Sequence, residues 1–214
     1  RCILGKCKVS EILDKLDDYN STVTKLNEKI TTLQERLTEV EEVSGSTGVV
    51  LVSAGQCGEK VFYALYSNGN LKLTGTGATY DYDSSESVFY ENDSIKSISV
   101  GDGVTELGKY LFQYCTEIKS ASLPSTLTAI QHGAFYQLDT TIGATSGLTE
   151  ISLPNNLKTI GKSAFAHNAL TEITIPASVT EWESYAFTDC SKLKKVTVES
   201  SLIGSFAFTH CFAL

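Results

Sequence analysis

Several things are scarce or missing in this 214-residue sequence, and each absence narrows what the chain can be. Methionine occurs nowhere and Arg1 comes first, which suggests that the natural N-terminus was processed or lies upstream, leaving room for a removed signal peptide. No apolar run approaches the roughly 20 residues that a spanning helix needs, so no membrane span is expected in this chain. No cluster of Lys and Arg offsets the formal charge of -8. Residues 1 to 43 carry seven bases and nine acids, the rest ten bases and sixteen acids. A surface of that sign repels phosphate backbones, so nucleic acid is not an expected partner.

Catalytic signatures are missing too. There is no Gly-x-Ser-x-Gly elbow, no P-loop and no His-Glu-x-x-His, so the expectation is a protein without enzymatic activity and without a cofactor. The three histidines give no pair with metal-ligand spacing: His167 and His210 are two repeats apart in equivalent places, and His132 falls at another phase. The acidic run around Asp81, Asp83 and Glu86 lacks the glycine and spacing of an EF-hand loop.

What is present begins with a seven-residue period. Val9, Leu16, Val23, Ile30 and Leu37 recur every seven, and Ile12, Tyr19, Leu26, Leu33 and Val40 follow each by three. Five unbroken heptads predict an α-helical coiled coil over residues 1 to 43 rather than a helix packed on its own domain, which shows a broader stripe. At the end of the seam Arg36, Leu37, Val40 and Glu41 occupy g, a, d and e. That arrangement matches short parallel trimers, in which the Arg stem covers the seam and its guanidinium pairs with a neighbouring chain's carboxylate. A homotrimer is therefore expected, with a dimer as the alternative. Cys2 and Cys7 lie just upstream, where a parallel oligomer brings equivalent cysteines together. Interchain disulfides are expected in an oxidising compartment; an intrachain pair or free thiols are the alternatives. Asn20 and Asn92 head the two Asn-x-Ser/Thr tripeptides that a eukaryotic secretory pathway could glycosylate.

The heptads stop at a short Ser/Gly linker, residues 44 to 48. Residues 49 to 94 then read as a β-rich cap, with Asn68-Gly69 as a hairpin turn between alternating runs. From 95 to 214 the chain repeats itself, with units starting at Ile95, Ile118, Leu148, Leu170 and Leu193 and a truncated sixth at Leu214. Each unit holds two apolar residues one apart and a later phenylalanine. A period of 20 to 29 residues with one short strand per unit predicts a leucine-rich solenoid whose repeats share one core. The fold class expected is thus an N-terminal coiled coil followed by a β-rich solenoid with a β cap.

The unit "LTEITIPASVTEWESYAFTDC" and its neighbours resemble the BspA-like leucine-rich repeat, and "GQCGEKVFYALYSNGNLKLTGTGATYDY" resembles the β-rich segment that often precedes it. The resemblance covers residues 50 to 214. It departs at the 139 to 147 insertion, the short fifth repeat and Trp182 in an Ile position. It implies a surface-exposed or secreted protein, since members are found on host-associated bacteria and anaerobic protists, where several are adhesins.

Within the repeats, Cys115, Cys190 and Cys211 follow the repeat phenylalanine by three, where other units carry Leu138 and Asn168. A slot that accepts Leu reads as packing, so these thiols and Cys57 are expected to be reduced and buried. The residues flanking each inward apolar pair point outward: Ser97 and Ser99, Ser120 and Ser122, Glu150 and Ser152, Glu172 and Thr174, Lys195 and Thr197. This ladder is the expected binding face for an extracellular protein or glycan, with the 139 to 147 insertion and the 79 to 93 loop as the other places where recognition could lie.

Overall fold

The computed structural model describes residues 15–17, 19, 21–25, 27, 30, 48–137 and 146–214. The chain divides into two compact units, Arg1–Leu51 and Val52–Leu214. In the first unit the described residues between Lys15 and Ile30 are helical. Leu16, Tyr19 and Ile30 of the heptad seam are exposed there, and Val23 is partly covered. The other seam positions (Val9, Ile12, Leu26, Leu33, Arg36, Leu37, Val40 and Glu41), with Cys2, Cys7 and Asn20, lie outside the described residues.

The second unit is built from short strands. It opens with β1 (Leu51–Gln56), β2 (Val61–Tyr66) and β3 (Asn70–Gly75); β3 alternates buried Leu71 and Leu73 with exposed Lys72 and Thr74, and β2 buries Val61 and Leu65 while Phe62 is exposed. The β2–β3 connection is the antiparallel hairpin expected around Asn68-Gly69. Gly69 has φ of 81° and the Asn68 side chain accepts from the Asn70 N–H at 3.0 Å, so the turn uses both the freedom of glycine and the local bonding of asparagine.

After β3 the chain winds. The strands β4 (Gly77–Ala78), β5 (Ser97–Val100), β6 (Val104–Leu107), β7 (Ser120–Ser122), β8 (Ala129–Ile130), β9 (Glu150–Ile151), β10 (Thr159–Ile160), β11 (Glu172–Ile175), β12 (Glu181–Trp182) and β13 (Lys195–Val198) alternate between two parallel ladders. In the first ladder β3, β5, β7 and β9 pair in turn, with Asn70 beside Ser97, Ser97 beside Ser120 and Ser120 beside Glu150. The second joins β4, β6, β8, β10 and β12 without a gap. Among the described residues no pairing links β9 to β11; β11 and β13 form a separate two-stranded sheet. The first face is therefore open at one seam and the second is not.

On the third side of each turn a phenylalanine enters the core. Phe89, Phe112, Phe135, Phe165, Phe187 and Phe208 stack with centroid spacings of 5.4, 5.2, 5.5, 5.1 and 5.6 Å. Phe89 and the parallel pairing of β3 bring residues 70 to 94 into the same packing as the repeats. Trp182 takes its Ile slot by turning edge-on to Phe187 and Phe208.

Two left-handed residues bracket the phenylalanine in three repeats: Tyr110 and Tyr114, Tyr185 and Asp189, Phe206 and His210, all with φ between 53° and 61°. Ser163 and His167 do the same around Phe165. Such φ costs a non-glycine residue about 1–2 kcal/mol, but it aims the N–H at the next turn. Tyr114, His167 and Asp189 donate to the carbonyls of Tyr136, Thr188 and Thr209 at 2.9, 2.9 and 2.8 Å. The strain is offset by hydrogen bonds that hold turn to turn.

Candidate functional site

The outward residues of the first ladder line a groove of about 520 Å³, which gathers Ser97, Ser99, Ser120, Ser122, Glu150, Ser152 and Glu172. The parallel register stacks them in two columns, one starting at Ser97 and the other at Ser99. Asn70 completes the groove. Its amide donates to Ser97 Oγ at 3.0 Å and to Ser99 Oγ at 3.2 Å, fixing both hydroxyls. Asn70 lies outside the repeats as aligned by sequence; its position between the hairpin glycine and the buried pair Leu71 and Leu73 is the signal that could have found it.

Beyond the open seam the face continues into a second groove of about 360 Å³, where Thr174 and Lys195 join Ser152 and Glu172. Thr197 is exposed on the same strand but lines neither groove. Lys195 Nζ lies 3.7 Å from Glu172 Oε2, with both side chains 71% exposed, so the pair adds little stability. The face is thus uncharged at its centre and charged toward the C-terminal turns.

The repeat cysteines are buried in the core as expected and also act as hydrogen-bond donors. Cys115, Cys190 and Cys211 donate their thiols to the carbonyls of Phe89, Phe165 and Phe187, each one turn earlier, at 2.8, 3.3 and 3.1 Å. Asn168 does the same to Phe135 at 2.7 Å, and Gln137 reaches the Phe112 carbonyl at 3.4 Å. The slot is a packing position within the hydrophobic core and a buried donor as well. Sequence reading missed this because Leu138 was aligned with it; Leu138 lies outside the described residues, and Gln137 supplies the donor at that turn. All four cysteines of the second unit are free and buried. Burial pushes the thiols of Cys57 and Cys115 up to about 12 and raises those of Cys190 and Cys211 as well, so they are poor nucleophiles at neutral pH.

Two histidines do share a partner that spacing alone did not reveal. Asp189 stands between them, Oδ1 at 3.1 Å from His210 Nδ1 and Oδ2 at 3.6 Å from His167 Nε2. His132 is apart, against the Tyr110 ring at 4.9 Å, and burial lowers its pKa. Among the described residues no group of His, Cys, Asp and Glu is arranged to hold a metal ion.

The 79 to 93 segment is part of the first turn rather than a free loop. Thr79, Ser87 and Phe89 are buried, and Gln113 accepts from the Ser85 N–H at 3.0 Å. Asn92 is half-buried and its side-chain oxygen accepts from the Ser94 N–H at 3.0 Å, a local turn. Of the 139 to 147 insertion, the described residues Ser146 and Gly147 are buried.

The model of the BspA type leucine rich repeat region, in 6 copies, matches residues 55–142 and 140–214. No curated protein matches the chain in sequence. Among solved structures, a leucine-rich repeat protein from Eubacterium ventriosum is 24% identical, with 69% of this chain and 44% of that one covered and a TM-score of 0.52. One from Bacteroides ovatus is 21% identical, with 73% and 45% covered and a TM-score of 0.52. The chain therefore spans less than half the length of either protein. A leucine rich cell surface protein from Faecalibacterium prausnitzii is 22% identical over 70% of this chain and 55% of its own, with a TM-score of 0.30. No helix of the described residues is long and apolar enough to cross a membrane. The match over almost all of the second unit shows that the chain belongs to the BspA-type leucine-rich repeat family.

Proposed function

We propose that this chain is a non-enzymatic binding protein of the cell surface or extracellular space, and that its ligand lies on the first ladder. The observation that carries the reading is the groove itself: outward side chains from successive turns, held in register by paired strands, form one polar surface backed by a continuous core. A rigid surface of that kind orders little on binding, so less of the contact energy is lost to immobilisation. The face has no Trp, Tyr or Arg anchor of the sort that dominates tight protein interfaces, and a single contact is accordingly weak. Three heads on a coiled coil, closed by Cys2 and Cys7 between chains, raise apparent affinity by roughly 100-fold or more when all engage. Exposed Leu16, Tyr19 and Ile30 support that oligomer, because they are seam residues left uncovered in a single chain.

The test is binding of the full chain to matrix proteins and glycans after replacing Glu150, Glu172 and Lys195 together with alanine. Binding should fall at least about tenfold, or about 1.4 kcal/mol, with the melting temperature unchanged. Full binding by that variant would move recognition off the charged C-terminal end of the ladder.

A second reading is a subunit of an extracellular filament, coat or fibre. Ordered polymers at high concentration would favour it; a soluble oligomer that binds ligand would not.

A further inference from the structure

We infer that the groove on the first ladder takes an uncharged, extended polysaccharide lying along the solenoid axis, with about one sugar unit over each turn. The inference rests on the reading that this ladder is the binding face and adds the ligand's chemistry. Three features of the groove select it.

The first is chemical. A serine hydroxyl both donates and accepts, as does every sugar hydroxyl, so a column of serines meets a column of sugar hydroxyls without requiring one fixed polarity. A peptide strand offers a different set, backbone N–H and C=O in alternation, and binds where a sheet edge leaves such groups unpaired. Along β3, β5 and β7 those groups are paired on both sides within the ladder, so over that stretch the groove offers side chains; the unpaired strand edge lies at its far end, where β9 faces β11.

The second is spacing. Turns follow one another at the 5.1–5.6 Å of the phenylalanine stack, and paired strands at about 4.8 Å. An extended β-linked glycan advances by nearly that distance per pyranose. Successive β-1,4-linked units are flipped by a half turn, so the two ring edges exchange columns from one turn to the next, and each serine column still meets a hydroxyl-bearing edge at every turn. Within a turn the two outward residues, such as Ser120 and Ser122, stand about 6.6 Å apart along the strand, close to the separation of hydroxyls on the two long edges of a pyranose ring.

The third is charge. Ser97, Ser99, Ser120, Ser122 and Asn70 are neutral, in a chain of net charge -8. Lys72, in register with Ser99, is exposed but does not line the groove, and the acids Glu150 and Glu172 come only at its C-terminal end. Neither a polyanion nor a polycation matches this centre. Asn70 fixes Ser97 and Ser99 before any ligand arrives, which lowers the ordering cost of recognition.

The experiment titrates the full chain with cello-oligosaccharides and chito-oligosaccharides of one to six units, by calorimetry and by ligand-observed NMR. Affinity should rise with each unit up to about four, the number of turns in the paired ladder, and then level off. Ser120→Leu and, separately, exposed Ser122→Leu should each weaken binding tenfold or more without lowering the melting temperature; Lys158→Ala, on the other ladder, should change nothing. Affinity that ignores chain length, or that survives both serine variants, overturns the inference, as does the absence of binding by either series. If these variants abolish attachment to a protein-coated surface while neither series binds or competes, the ligand is a protein: the binding face stands and the glycan falls. Attachment of every kind that is indifferent to them overturns both.

Discussion

At the scale of single residues, the repeat is held by side chains that satisfy backbone groups inside the core. A carbonyl at the inner end of each turn is buried, and an unpartnered carbonyl there costs roughly 1–3 kcal/mol. Cys, Asn and Gln all solve the problem, which is why one column holds Cys115, Gln137, Asn168, Cys190 and Cys211. Use of thiols has a consequence for pH. Burial raises Cys57 and Cys115 from 9.0 to about 12, so the folded chain holds these protons more tightly than the unfolded one. Their contribution is complete below the unfolded value near 9 and is lost as pH rises toward 12. Denaturant midpoints should hold steady to about pH 8.5 and then fall, and a Cys57→Ala, Cys115→Ala double variant should lose much of that alkaline slope. An unchanged slope would mean that other groups set it.

At the scale of the element, each turn is a short strand, a second short strand and a tight aromatic corner. The strands of the second ladder are only two to four residues long, too short to be stable alone. Their stability comes from the neighbours and from the shared core, in which the phenylalanines are among the largest fully buried side chains. Phe187, fully buried between Phe165 and Phe208, should cost about 3–5 kcal/mol when replaced by alanine, while exposed Glu172→Ala should stay within about 0.5 kcal/mol; urea unfolding of both checks this. Much of this scale was legible in the sequence, because the inward pairs and the phenylalanines recur at fixed phase. Ile98 and Val100, or Ile173 and Ile175, lie where alternation puts them. What escaped is what has no periodic hydrophobic signal. Asn70 joins the groove through a hairpin that the repeat alignment excluded, Gln137 replaces a partner one residue away, and Asp189 meets His167 and His210 only because the turns stack. The left-handed positions escaped too, since Tyr, Ser, His, Asp and Phe all occupy them and no glycine marks them except Gly133. There the missing Cβ matters for packing as well: one added at Gly133 would meet the Tyr110 ring at 2.7 Å.

At the scale of the whole molecule, the expected coil decides whether weak contacts add. The full chain should sediment as a trimer at micromolar concentration, and Leu26→Pro should leave a monomer, because proline breaks the helix. On gels without reductant the trimer should run as covalent multimers that vanish when Cys2 and Cys7 become serine. A monomeric parent chain would remove avidity from the account and leave the groove to bind alone.

The open seam between β9 and β11 has a mechanical meaning. The opposite ladder continues across the same two turns, with Thr159 paired to Glu181 and Ile160 to Trp182. The core and the corner cross the seam as well, through the Phe165–Phe187 stack at 5.1 Å and the bond from the Phe165 N–H to the Ala186 carbonyl at 2.8 Å. The missing pairing thus removes one set of ties and leaves the others, and fraying from the C-terminal turns would meet least resistance from the first ladder at this point.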